Sequence, residues 1–104
     1  MAERSGCTFE IDTAKLPVYP GVLEAAQRGV RTGGDARNRT AVGTRVTLAD
    51  GVDVAYDIVA FDPQTSGGLL AAVEPAAVAG LTAPGSPFLV IGNVVAGTPG
   101  LRLV

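Results

Sequence analysis

Asp62-Pro63-Gln64-Thr65-Ser66-Gly67-Gly68-Leu69-Leu70 is a stretch that a generic soluble domain does not produce by chance. The aspartate and proline stop whatever element precedes them. Two hydroxyls and two adjacent glycines follow, and an apolar run from Leu69 to Val73 begins at once. Gly67 and Gly68 are free to take φ > 0 and to let another chain or a ligand approach the backbone. Thr65 and Ser66 bring hydroxyl donors to the same place. A loop of this kind, wedged between two apolar segments, suits a concave array of N–H groups that holds an anion such as phosphate. It differs from a P-loop, because no lysine follows the glycines to reach the outer phosphates. The plainer alternative is a tight loop whose glycines serve backbone geometry alone. Asp62 reads as a cap for its own turn rather than a metal ligand, since a lone carboxylate makes a poor magnesium site.

Outward from this loop, composition sets the limits. The chain has 104 residues, one domain or part of one, with 47% apolar and 17% charged residues. That supports a modest core and excludes disorder by composition. Tryptophan is absent and aromatics are scarce, so the core must come from Val, Leu, Ile and Ala. There is no histidine and only one cysteine, Cys7. Ser-His-Asp and Cys-His arrangements, an intrachain disulfide and a cysteine metal cluster are therefore excluded within the chain. No catalytic residue and no metal site is assigned. No apolar run approaches the ~20 residues of a membrane span, and Met1-Ala2-Glu3-Arg4-Ser5 has no apolar stretch of a secretory signal. A cytoplasmic protein without a membrane partner is the simplest expectation. Arg28, Arg31, Arg37, Arg39 and Arg45 lie close together, opposed locally by Asp35, and Asp50, Asp53, Asp57 and Asp62 follow. These are either two solvated faces or arginines that meet phosphate. With net charge −2 and no interleaved aromatics, nucleic acid is not an expected partner.

The pattern along the chain predicts strands interspersed with short helices. Thr8–Asp12 alternates as a strand. Leu16–Gly21 is a proline-bearing connector, and Val22–Gly29 reads as a helix stopped by its glycine. Thr32–Thr40 reads as a loop, from Gly33-Gly34 and the turn formers Asp35 and Asn38. Gly43–Ala49 reads as a strand, with Asp50-Gly51 a turn towards a short partner at Val52–Val54. Tyr56–Phe61 stays open between a strand and one helical turn. Leu69–Val73 is expected as a buried strand from its unbroken apolar character. Pro75–Leu81 should be a helix, Phe88–Val95 a strand, and Leu101–Val104 a final edge strand. The fold class is α/β, an α+β sandwich with a mixed sheet and short helices.

Read in full, the loop from Asp62 to Leu70 resembles the signature of the selenophosphate synthetases, or selenide, water dikinases. Ile11-Asp12, Leu16-Pro17 and Gly21–Ala25 resemble that family's strand, connector and helix. Gly33-Gly34 with Arg37-Asn38 resembles its glycine-arginine-asparagine loop, and Ile91–Val95 with Gly100–Arg102 its closing strands. The resemblance implies a partial C-terminal domain of the aminoimidazole ribonucleotide synthetase-like fold, with residues 1–104 as a single, N-terminally truncated unit. It implies a family reaction that makes selenophosphate from selenide, ATP and water, releasing AMP and phosphate. ATP and magnesium are held largely by an N-terminal half that this chain lacks, so none is expected to bind here independently. The implied partners are that ATP-binding half and a second copy in a homodimer. The candidate cleft residues are Thr65, Ser66, Gly67, Gly68, Arg37 and Asn38. Cys7 and Lys15 match neither the context nor the spacing of the family's reactive pair. Two other readings stand beside an enzyme fragment: a freestanding, non-catalytic binding module of the same fold, or a remnant with a marginal core. Truncation is expected to bare an apolar face.

Overall fold

A computed structural model describes residues 1–104. The chain opens with one helical turn, α1 (Ala2–Ser5), and passes into β1 (Cys7–Ile11). The helices α2 (Val22–Gln27) and α3 (Asp35–Val42) follow, then β2 (Val46–Leu48) and α4 (Val54–Phe61). The last elements are α5 (Pro75–Leu81), β3 (Gly92–Ala96) and β4 (Gly100–Leu103). The four strands form one mixed sheet in the order β2-β4-β1-β3. β1 runs antiparallel to β3 and parallel to β4, and β4 runs parallel to β2. The expected α/β class with a mixed sheet and short helices is the one observed.

Register places the apolar side chains of the sheet on one face. Phe9 stands opposite Leu101 and Val94, and Ile11 opposite Leu103. Phe9, Ile11 and Leu103 are all buried, which an uncovered sheet face would not allow, so the helices form the second layer. The other face is polar, and Arg102 pairs with Glu10 across it at 2.9 Å. In the helical layer Ala26 of α2 meets Ala55 and Ile58 of α4, with Leu23 and Val59 against them. Small alanines at the crossing let the two helices come close.

Several expectations are corrected. Thr32–Thr40 is not a loop throughout: only Thr32, Gly33 and Gly34 remain outside the helix, and α3 begins at Asp35. The turn formers there act as helix formers because Asp35 ion-pairs with Arg31 and Arg39, each four residues away. Asp50-Gly51 does make a turn, with Gly51 at φ 83°, but no hairpin partner follows it. The Asp53 carboxylate instead accepts a 2.8 Å bond from Ala55 N and starts α4. Tyr56–Phe61 resolves as helix, since Ala55, Ile58 and Phe61 bury one face at three-residue spacing. Leu69–Val73 forms no strand and is exposed, Leu69 at 89%; no strand of this chain pairs with it. The strand expected over Phe88–Val95 is confined to Gly92–Ala96. The C-terminal strand is not an edge. Val104 N donates to Ile11 O, and Thr13 N to Val104 O, at 2.9 and 2.8 Å, which locks β4 between β1 and β2. No helix is long and apolar enough to cross a membrane.

Candidate functional site

The loop from Asp62 to Leu70 is held at its root by α3 and α4. α4 ends at Phe61, and Asn38 on α3 donates its amide Nδ2 to the Phe61 carbonyl at 2.9 Å. One turn earlier Gly34 lies against Pro63, so closely that a Cβ at Gly34 would stand 2.5 Å from Pro63 Cγ. Only glycine permits that approach. The two segments singled out in the sequence, Gly33–Asn38 and Asp62–Gly68, are therefore neighbours. Asn38 spends its N–H on the loop's root. Arg37 is exposed and enters none of the ion pairs.

Beyond its root the loop faces the connector after β1. Gln64, Ser66, Gly67 and Gly68 line a cleft of about 350 Å³ against Pro17, Val18 and Tyr19. Thr65 is exposed but lies outside that lining, as do Arg37 and Asn38. The expected left-handed glycines are not found: neither Gly67 nor Gly68 has positive φ. Gly67 is needed for space instead, since a Cβ there would lie 2.9 Å from Gln64 Cβ. Gly68 has nothing within 4 Å of that position. Tyr19, 78% exposed, is a cleft residue that sequence reasoning passed over. Its one signal was the pair of prolines, Pro17 and Pro20, that hold the connector extended beside the loop. The cleft offers hydroxyl, phenol, amide and backbone groups and no charged side chain, so it can orient a ligand by hydrogen bonds without neutralising it.

Charge is concentrated one layer behind. Asp35 is buried and receives Arg31 at 3.2 Å and Arg39 at 2.9 Å. Arg39 also reaches Asp57 on α4 at 2.7 Å, and its guanidinium lies 4.2 Å over the Phe61 ring. This arginine ties α3 to α4 directly behind the loop's root. The hydrogen bond from Arg39, reinforced by the charges of Arg39 and Arg31, holds the Asp35 carboxyl below its ordinary 3.8. The Arg39 guanidinium is correspondingly pushed up, first by its bond to Asp35. Of the five arginines grouped in the sequence, Arg31 and Arg39 thus meet aspartate, as Arg45 meets Glu3. A smaller hollow of about 130 Å³ opens beside this cluster, between Val22, Ala26, Val30, Ile58 and Asp62.

No three Asp, Glu, Cys or His side chains come together in a way that would hold a metal ion. The donors of this chain do not by themselves fit magnesium, which asks for several oxygens at octahedral positions. Lys15 pairs with Asp12 at 2.6 Å rather than with half-buried Cys7.

Comparison with known proteins yields no matching family model and no matching solved structure. Curated proteins do match. A selenide, water dikinase of Nitratidesulfovibrio vulgaris is 49% identical over 73 residues, 70% of this chain and 21% of that protein. Those of Treponema denticola and Pseudomonas straminea are 40% and 42% identical over 74 and 72 residues, 71% and 69% of this chain. The chain spans about a fifth of the length of these relatives.

Proposed function

The chain is a relative of the selenide, water dikinases over some 70% of its length, and on that premise we propose that it is the C-terminal part of such an enzyme. The whole enzyme makes selenophosphate from selenide, ATP and water, in the cytoplasm. Its ATP and magnesium machinery belongs to the N-terminal part, and this chain is inactive alone. The observation that carries the reading is the match at 36–49% identity to dikinases whose length it covers by a fifth.

Within that enzyme the loop Gln64–Gly68 and the connector Pro17–Tyr19 form one wall of the cleft between the two parts. Ser66 and Tyr19 supply hydrogen bonds, and Thr65 and Arg37 reach towards the phosphates from the rim. Arg37 is the candidate best suited to charge neutralisation, because Arg31, Arg39 and Arg45 are already engaged. Asn38 acts by positioning, through its bond to Phe61 O. Magnesium, when bound to the nucleotide, would offset phosphate charge; nothing in this chain's own donor set routes a step through it.

The test is complementation. Purified chain given ATP and selenide should release no AMP. Addition of the separately produced N-terminal part of the Nitratidesulfovibrio vulgaris protein should restore AMP formation. Gly67→Val, which drives the loop off Gln64, should lower that restored rate roughly 100-fold, the scale of a 1 Å misplacement in an active site. AMP formation by the chain alone would overturn the division of labour. Failure of complementation by a well-folded pair would favour the reading as a freestanding binding module.

A further inference from the structure

Two glycines precede α3, and their surroundings differ. Gly34 has φ −87° and ψ −19°, a conformation open to every residue, so its backbone does not call for glycine. A Cβ on Gly33 would meet nothing within 4 Å. One on Gly34 would meet three atoms of the Pro63 ring, Cγ at 2.5 Å and Cβ and Cδ at 3.2 Å. What holds position 34 to glycine is therefore its neighbour alone. That neighbour cannot turn aside, because the proline ring is closed onto its own backbone nitrogen. Relief has to come from moving the backbone of α3 or of the loop.

The residues leading into Pro63 are fixed as well. Phe61 O accepts the Asn38 amide at 2.9 Å, and Asp62 N donates to Val59 O at 3.1 Å. Asp62 is extended, at φ −67° and ψ 125°, the conformation that a following proline favours. α3 thus grips the loop's root at two points, Gly34 on Pro63 and Asn38 on Phe61. From 34 to 38 a helix rises about 6 Å, and from 61 to 63 an extended chain covers about 6.6 Å, so the two points match in spacing. Arg37, three residues after Gly34, is its neighbour on the helix surface. It is exposed and enters none of the ion pairs.

We propose that Gly34 and Pro63 are a positioning pair that, with the Asn38 bond, clamps the loop to α3 and sets the register between Arg37 and the cleft wall Gln64–Gly68. Neither residue of the pair lines the cleft. Their contact fixes how far the Arg37 cation stands from the uncharged donors of that wall. It thereby selects a ligand that is anionic at one end, polar but uncharged at the other, and of a length that reaches both. The clamp rests on packing, while its part in a reaction rests on the dikinase reading. A Cβ at 2.5 Å has to retreat by about 1 Å to reach an ordinary carbon–carbon contact. A misplacement of that size costs about 100-fold in rate.

On the chain alone, the amide resonances of Gly67 and Gly68 test the clamp. Gly34→Ala should shift both, and Gly33→Ala should shift neither. Pro63→Ala leaves only the 3.2 Å Cβ contact, so adding it to Gly34→Ala should return both resonances most of the way. The register is tested in the pair formed with the N-terminal part of the Nitratidesulfovibrio vulgaris protein. There Gly34→Ala should lower kcat about 100-fold, and Pro63→Ala should recover about tenfold of that loss. Arg37→Ala should cost about tenfold less in the Gly34→Ala chain than in the unmodified one, because the cation is already out of register. A helix that is merely destabilised would leave the two effects multiplicative. Unmoved Gly67 and Gly68 resonances in Gly34→Ala overturn the proposal, as do multiplicative effects of Gly34→Ala and Arg37→Ala. An unmodified pair that forms no AMP, with the resonances behaving as stated, removes the dikinase reading and upholds the clamp.

Discussion

Arg39 and Asp35 tie α3 to α4 behind the candidate loop, although neither lines its cleft. Asp35 is buried against two guanidiniums, and a buried carboxylate is tolerable only when so paired. Its folded-state acidity gives a pH dependence with a definite sign. The Asp35 carboxyl is lowered from 3.8 by Arg39 and Arg31. Between the depressed value and 3.8 the unfolded chain binds more protons, so stability rises with pH there. The contribution is complete above about pH 4, near an aspartate's ordinary value, and is lost as pH falls through the depressed value. Asp12, lowered by Lys15, and Asp53, lowered by Ala55 N–H and Gln27, act in the same direction. Urea denaturation at descending pH should show this loss, and Asp35→Asn should flatten it while lowering stability at neutral pH. The sequence showed Arg31, Asp35 and Arg39 plainly, but read them as either a solvated charge group or arginines that meet phosphate. The i, i+4 spacing was present; what was missing was the burial that makes the spacing decisive.

At the scale of elements, α4 shows how packing settles what local pattern leaves open. Six residues of Tyr56–Phe61 suit either a strand or a helical turn. The Asp53 cap and the crossing with α2 choose the helix, which runs the full eight residues from Val54. Ala55 has no exposed surface at that crossing. Ala55→Leu should therefore overpack it and lower stability by about 1–3 kcal/mol, read as a shift of the urea midpoint at unchanged slope. The segment after the loop failed in the opposite sense. Leu69–Val73 has the composition of a buried strand, but composition cannot say whether an edge is available to it. Here β3 is flanked by β1 on one side and left open on the other, and Leu69–Val73 stays outside the sheet. The loop was recognisable by its residues, yet its partner wall, Pro17–Tyr19, was not. That wall is the connector after β1, and it meets the loop only in the folded chain.

The whole molecule is expanded for its length. Its radius of gyration is 14.3 Å, against about 13 Å for a compact domain of this size. Nine residues are buried, so unfolding exposes less new surface than in a typical domain. The urea slope should accordingly fall near the low end of the usual range, about 1 kcal/mol/M, because that slope scales with area exposed. A slope of about 2 kcal/mol/M or more would mean a larger core than the fold shows.

Some of this was determined by residues alone. The absence of histidine, the single cysteine, the loop from Asp62 to Leu70 and its kinship, the α/β class and the first strand follow from local chemistry and order along the chain. These depend on what each residue is. The tertiary structure decided what depends on neighbours. It turned the Asp35–Val42 segment into a helix by burying an aspartate between arginines. It drew the C-terminal strand into the middle of the sheet, gave Gly67 to close packing rather than to a left-handed turn, and left Leu69–Val90 uncovered. The physical reason is common to all four. A hydrogen-bond edge, a burial partner and a steric neighbour come from residues far away in sequence, and their placement exists only once the chain has closed on itself.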